Sequence, residues 1–186
     1  MQSDKYIILD RDGVINYDSP SYVKTAEEWD PIPNSLEAIS VLSKNNYKII
    51  VISNQAGISK GIIDYKDHLK IHSKFISSCR KYSGNITATY YCYEHPNKNS
   101  HLRKPNPGMY FEVSERLNID LSNIFAIGDS PRDMSAALSS GCKPLGVLTG
   151  NGVKINTEMP NIDIFNNLYE AVQFVISYDK QYILNI

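Results

Sequence analysis

Two carboxylates one residue apart, Asp10 and Asp12, end a short apolar run and are followed at once by Gly13. Side chains of this type can hold a divalent cation, attack as a nucleophile or move a proton. An Asp-Gly pair at a strand end also makes an ordinary turn, so this stretch alone decides nothing. Other polar residues follow other apolar runs in the same way. Ser53 follows 48–52, Asp129 and Asp133 follow 124–127, and Arg103 and Lys104 lie in the irregular segment 93–107 after the run 87–92. Carboxylates brought to one point repel unless a cation sits among them. Mg²⁺ suits such a place, because it takes oxygen ligands, needs few carboxylates and keeps positions open for water or phosphate. A hydroxyl and a lysine opposite would hold phosphoryl oxygens and offset their charge. Phosphoryl transfer asks for little beyond that, an in-line nucleophile and a proton donor for the leaving group.

The elements that must position these residues follow from hydropathy. The runs 6–9, 48–52, 87–92, 124–127 and 144–148 are short and apolar on both faces, the mark of strands buried in a parallel sheet. A further strand is expected at 162–165. Helices are expected at about 35–45 with Ser35 as cap, at 64–82 with Leu69, His72, Phe75, Ile76 and Cys79 on its packed side, at 108–118, from Pro131 to Gly141, and at 168–177. Strands alternating with helices predict an α/β fold, a doubly wound, mostly parallel sheet with helices on both faces. The chain is read as one domain over 1–186, its motif-bearing core at about 6–152 and a closing strand and helix at about 160–178. In such a sheet ligands bind beyond the carboxyl ends of the strands, where all these polar residues fall. The segment 17–34 is long for a connection, and Trp29 within it is expected to anchor it to the body. His68 and His72 stand four apart, but without an acidic partner nearby they read as packing and surface residues. The tail 178–186 carries no interpretable pattern.

The composition excludes several classes. A net charge of -1 with 21% charged residues offers no field for nucleic acid or a membrane surface. No apolar run reaches transmembrane length and no leader pattern opens the chain. Three scattered cysteines, Cys79, Cys92 and Cys142, argue against a disulfide framework. A cytoplasmic monomer is expected.

Four segments in order, Asp10-Arg11-Asp12-Gly13-Val14-Ile15, Ser53-Asn54-Gln55-Ala56-Gly57-Ile58, Arg103-Lys104-Pro105 and Gly128-Asp129-Ser130-Pro131-Arg132-Asp133, resemble the four motifs of the haloacid dehalogenase (HAD) superfamily of phosphatases. More narrowly, the chain resembles the branch that holds the heptose-bisphosphate 7-phosphatases and the histidinol-phosphatases. The resemblance runs from about residue 6 to residue 152. It implies that Asp10 attacks phosphorus and that Asp12 serves as acid and then base. It implies that Asp10, the Asp12 carbonyl and Asp129 ligate Mg²⁺, with Asp133 behind the metal or orienting the lysine. Ser53 and Lys104 would hold phosphoryl oxygens. Arg11, Asp18, Tyr22, Asn54, Gln55 and Arg103 would line the substrate side. The substrate implied is a small phosphorylated sugar, the 7-phosphate of a heptose 1,7-bisphosphate in nucleotide-heptose and lipopolysaccharide precursor synthesis. Histidinol phosphate is the alternative, kept open by Glu27, Glu28 and Glu94 in the specificity loops. The gaps between motifs leave no room for a cap domain, so an open site is expected.

One feature of the family is missing. Many heptose bisphosphate phosphatases carry a structural zinc in the loop after the third strand, built from a Cys-x-His and a Cys-x-Cys pair. This chain has Cys92-Tyr93-Glu94-His95 and Ser100-His101-Leu102 in those places. Cys92, His95 and His101 make a poor match to a closed four-ligand site, and no zinc is expected.

Overall fold

In the computed structural model, which describes residues 4–184, the first apolar run forms β1 (Lys5–Leu9) at the centre of a parallel sheet. The chain continues through α1 (Ser35–Lys44), β2 (Tyr47–Asn54), α2 (Tyr65–Lys81), β3 (Ile86–Cys92) and α3 (Gly108–Leu117). It closes with β4 (Phe125–Gly128), α4 (Pro131–Ser140), β5 (Lys143–Val147), α5 (Val153–Glu158), β6 (Ile164–Phe165) and α6 (Leu168–Leu184). Short 3₁₀ turns occupy Pro96–Lys98 and Leu121–Asn123. The strand order is β3-β2-β1-β4-β5-β6 with every pair parallel. Connections therefore leave in opposite directions from β1 and β4, and the crevice opens between their carboxyl ends.

Alternation along the strands explains why the sheet is covered on both sides. Ile7, Leu9, Ile49 and Val51 point into one core with Leu36, Ile39 and Leu42 of α1, Phe75 of α2 and Val172 of α6. Ile8, Ile50 and Ile52 point into the other, with Met109, Tyr110 and Val113 of α3 and Ala136 and Ala137 of α4. Continuous apolar strands are what two buried faces require. No helix among the described residues is long and apolar enough to cross a membrane.

The long connection 10–34 is tied down at both ends. Trp29 is buried and packs on Phe75 with ring centroids 5.9 Å apart. Ser35 does not cap α1 as expected. It is the first helical residue, Asn34 precedes it with φ 65°, and the Ser35 hydroxyl donates to the Ile15 carbonyl 2.6 Å away. That bond locks the base of the long connection to the helix it feeds.

Three further differences stand out. The packed stripe of α2 is His68, Ile71, Phe75 and Cys79, while Leu69 is exposed. The helix is turned by one position because two histidines, not two aliphatics, face β3. Residues 153–158 form α5, too short and polar to show a helical period. Much of the tail continues α6 to Leu184: Asp179 pairs with Lys5 at 3.1 Å and accepts from the Tyr47 hydroxyl, and Tyr178 meets Phe125 edge-on at 5.2 Å. Residues 185 and 186 lie outside the described residues.

Candidate active site

The four strand-end segments meet in one cleft of about 240 Å³, bordered by Asp10, Asp12, Asp18, Tyr22, Ser53, Asn54, Gln55, Arg103, Lys104 and Arg132. Asp10 leaves β1 where the Asp10 amide donates 2.9 Å to the Ile127 carbonyl of the neighbouring strand. Its Oδ1 accepts from the Arg11 amide at 2.7 Å and pairs with Lys104 Nζ at 2.9 Å. Lys104 Nζ reaches Asp133 Oδ1 at 2.6 Å and donates to the Ile52 carbonyl at 3.0 Å. The lysine is thus held between two carboxylates. Burial alone works against its charge, but Asp10 and Asp133 outweigh that and keep its pKa above the usual lysine value.

Asn54, expected on the substrate side, has both side-chain polar groups occupied. Its Nδ2 donates to the Lys104 carbonyl at 3.0 Å, and its Oδ1 accepts from the Lys104 amide at 3.1 Å. One side-chain amide therefore clamps the peptide that carries the lysine.

Asp10, Asp129 and Asp133 place carboxylate oxygens within 4.8 Å of one another, and each is buried. Burial raises the pKa of Asp129 most, and the charges of Asp10 and Asp133 add to it, to about 8. Asp10 is pushed up to about 6, first by burial and then by Asp133 and Asp12, with Lys104 opposing. Asp133 goes the other way. Lys104 and the Ser130 hydroxyl, which donates to its Oδ2, outweigh burial and hold it below the ordinary range.

The two oxygens of Asp129 are treated differently. Oδ2 accepts from the Asn151 amide at 2.8 Å, while Oδ1 is buried with no hydrogen-bond partner among the described residues. Gly13 and Gly150, with φ of 82° and 62°, bring backbone so close to this carboxylate that a Cβ at either position would collide with Oδ2. The Thr149 hydroxyl donates to the Gly13 carbonyl at 2.6 Å and joins the two loops. An orphaned carboxylate oxygen beside two further carboxylates fits a hard divalent cation.

Asp12 stands apart from that trio. Its Oδ1 accepts from Arg11 Nε and Asn16 Nδ2 at 3.1 and 2.9 Å, and its Oδ2 from Gln55 Nε2 at 2.6 Å and Ser53 Oγ at 3.4 Å. Burial pulls its pKa up, but the Arg11 charge and these bonds more than offset that, leaving it lowered. Ser53 also accepts from Gln55 Nε2 at 2.9 Å, so hydroxyl, amide and carboxylate form one buried patch.

Arg11 borders the cleft, yet its side chain is turned inward onto Asp12 and is 1% exposed. At the mouth, Arg103 Nη1 donates to the Glu94 carbonyl at a long 3.4 Å. Arg132 is exposed opposite, and its charge lies near enough to add to burial in lowering the Arg103 pKa. The role of Arg132 in the cleft wall was missed in the sequence, although it stands inside the fourth motif. Asn16, Asn151 and Thr149 were missed too, since no local pattern says that a loop residue will meet a carboxylate from a distant strand. Among the described residues, Asp10, Asp129 and Asp133 form the only group of three potential metal ligands.

Comparison with known proteins places this arrangement. The HAD-hydrolase-like family model matches residues 101–171. The D-glycero-beta-D-manno-heptose-1,7-bisphosphate 7-phosphatase of Bordetella bronchiseptica is 41% identical over 150 residues, spanning 81% of this chain and 84% of that protein. The protein of the same name from Neisseria meningitidis is 35% identical over 177 residues, spanning 92% and 95%. The crystal structure of D,D-heptose 1,7-bisphosphate phosphatase from B. bronchiseptica, complexed with magnesium and phosphate, superposes with a TM-score of 0.90 at 35% identity, over 94% of this chain and 99% of that one. The chain belongs to the HAD-like hydrolases, in the family of the heptose-1,7-bisphosphate 7-phosphatases.

Proposed function

We propose that the protein is a Mg²⁺-dependent phosphomonoesterase that removes the 7-phosphate from D-glycero-β-D-manno-heptose 1,7-bisphosphate, a step toward nucleotide-heptose. The observation that carries this reading is the buried set Asp10, Lys104, Asp129 and Asp133 at the crevice between β1 and β4, in a chain whose relatives are named for that reaction. Asp10, Asp129 and the Asp12 carbonyl would hold Mg²⁺, with Asp133 beside them. When bound, the ion would neutralise the carboxylates and the phosphoryl oxygens.

The chain's own groups account for the remaining steps. The Asp10 carboxylate forms a bond to phosphorus as the bond to the sugar oxygen breaks, giving an aspartyl-phosphate. Asp12, a carboxylate in the free protein, would have to take up a proton as the negatively charged phosphoryl group settles beside it; it would then pass that proton to the departing alkoxide and take one from the water that attacks phosphorus and frees Asp10. Lys104, fixed between Asp10 and Asp133, offsets charge on the phosphoryl group, and Ser53 donates to one of its oxygens. The two guanidiniums at the mouth, Arg103 and Arg132, make no ion pair among the described residues and suit an anionic group, which favours the second phosphate of a bisphosphate over the cationic amine of histidinol phosphate.

Steady-state kcat/KM with Mg²⁺ for heptose 1,7-bisphosphate and for histidinol phosphate, measured side by side, tests the proposal. A strong preference for the heptose is expected. A preference for histidinol phosphate would move the protein to another pathway, and turnover of neither would overturn the assignment.

A further inference from the structure

The most deeply buried cation of the cleft wall is Arg11, and the reading above gives it no role. Its fork grips Asp12 through Nε at 3.1 Å and Nη2 at 3.0 Å, contacting both carboxylate oxygens. Behind the fork stands a cage drawn from β3, the loop after it and α2. The Tyr91 ring lies 5.7 Å from the guanidinium carbon. The Tyr91 hydroxyl bonds His72 Nδ1 at 3.0 Å, and the His68 ring stands edge-on to Tyr91 at 4.7 Å. The Tyr93 hydroxyl bonds His68 Nε2 at 3.1 Å. The two histidines four apart on α2 are thus the back wall of an arginine site.

The wall carries no compensating charge. Burial and the Arg11 charge push His68 down to about 4 and lower His72, while burial raises Tyr91, so all three are neutral. Asp12 is the sole carboxylate within ion-pair distance of Arg11 among the described residues. Burying an arginine against one carboxylate is a costly way to stabilise a fold, since the lost hydration offsets the attraction. It is an effective way to fix a planar carboxylate, because a two-pronged grip sets rotation as well as position.

We propose that Arg11, backed by Tyr91, His68 and His72, is the positioning unit for the proton-transferring carboxylate Asp12, aiming its Oδ2 past Ser53 and Gln55 at the leaving-group oxygen. This rests on the phosphatase reading and adds the residues that orient its acid.

The test is the dependence of kcat/KM on leaving-group pKa across alkyl and aryl phosphates in the Mg²⁺-loaded enzyme. A wild-type enzyme whose acid is well aimed gives a shallow slope, because the departing oxygen is protonated as it leaves. Arg11→Lys keeps the charge and loses the fork. It is expected to lower kcat/KM on the order of 10²-fold for alkyl esters and far less for p-nitrophenyl phosphate, whose leaving group needs no proton. Tyr91→Phe, which keeps the ring and removes only the hydroxyl, should steepen the slope in the same direction by a smaller amount and guards against a folding defect in the first variant. An unchanged slope in both variants, or a fall by one common factor along the series, would overturn the proposal. Failure of the wild type to hydrolyse any ester would instead overturn the reading beneath it, and the proposal with it.

Discussion

The floor of the cleft and its rim are built on opposite terms. On the floor, Asp10, Ser53 and Lys104 are buried, with Asp129 and Asp133 buried behind them, and Lys104 is paired with both Asp10 and Asp133. At the rim, among the described residues, Arg103 has one long bond to a carbonyl, Arg132 is exposed, and Asp18 bonds only to the next amide, Ser19. Strand ends can fix a side chain through the sheet, whereas loops that carry recognition have only their own turns to hold them. On the function proposed above, the chemistry rests on groups held by the sheet and by one another, and selectivity on groups left available to the substrate.

Breaking the floor should therefore erase turnover while the fold survives. Asp10→Asn removes the proposed nucleophile at nearly constant shape and is expected to abolish hydrolysis with unchanged circular dichroism; residual turnover with the native substrate would refute its role. Asp12→Asn leaves the carboxamide unable to deliver a proton, and kcat for the sugar phosphate should fall on the order of 10²–10⁴-fold.

The comparison sharpens at Asn54, which borders the cleft but holds the lysine's peptide. Asn54→Ala should lower kcat about tenfold while KM for a small ester barely moves, the loss of a positioned group rather than of a contact. A pure KM effect would return Asn54 to the substrate side.

Charge on the floor gives a prediction with a sign. Asp129, raised to about 8, binds its proton more tightly folded than unfolded, where an ordinary value near 3.8 applies. Between those values the folded state holds the extra proton, so this group makes metal-free stability decline as pH rises from about 4 to 8. Asp12 and Asp133, held low, contribute stability above about pH 4 that is lost as pH falls through their folded values. Melting temperatures in EDTA and in Mg²⁺ across this range should diverge increasingly toward pH 8. A constant gap would mean that the ion does not displace the Asp129 proton.

At the rim the expected effect falls on binding rather than on turnover. Arg103→Ala should raise KM for heptose 1,7-bisphosphate about tenfold, the worth of one charged hydrogen bond, and leave p-nitrophenyl phosphate nearly unaffected. Equal changes on both esters would show that Arg103 does not read the substrate.

The same contrast governs what could be read from the sequence. Apolar strands announce themselves, so the sheet, its parallel sense and the carboxylates at its strand ends were legible from residues 6–9, 48–52 and 124–127. Where a side chain turns after a strand was not. Arg11 looked like a substrate contact and faces inward, because a cage from α2 and β3 lies on that side. Asn54, expected on the substrate side, borders the cleft, but its bonds to the Lys104 peptide fifty residues away could not be read from the sequence. The packed stripe of α2 shifted from Leu69 to His68 for the same reason: the aromatic wall it meets is set by tertiary pairing, which a local period cannot carry. Ser35 stands at the expected helix end but is not its cap, since its hydroxyl donates to the Ile15 carbonyl across the long connection.

The account stands most directly on Asp10 as the group that takes the phosphoryl from the substrate. Acid-quenching the enzyme during turnover of heptose 1,7-bisphosphate with Mg²⁺, followed by peptide mass spectrometry, would locate that group. The account predicts a phosphorylated carboxyl at Asp10 that appears with substrate, decays as it is consumed and is absent from Asp10→Asn. A phosphoryl group on another residue, or turnover with no covalent species at any quench time, would contradict it.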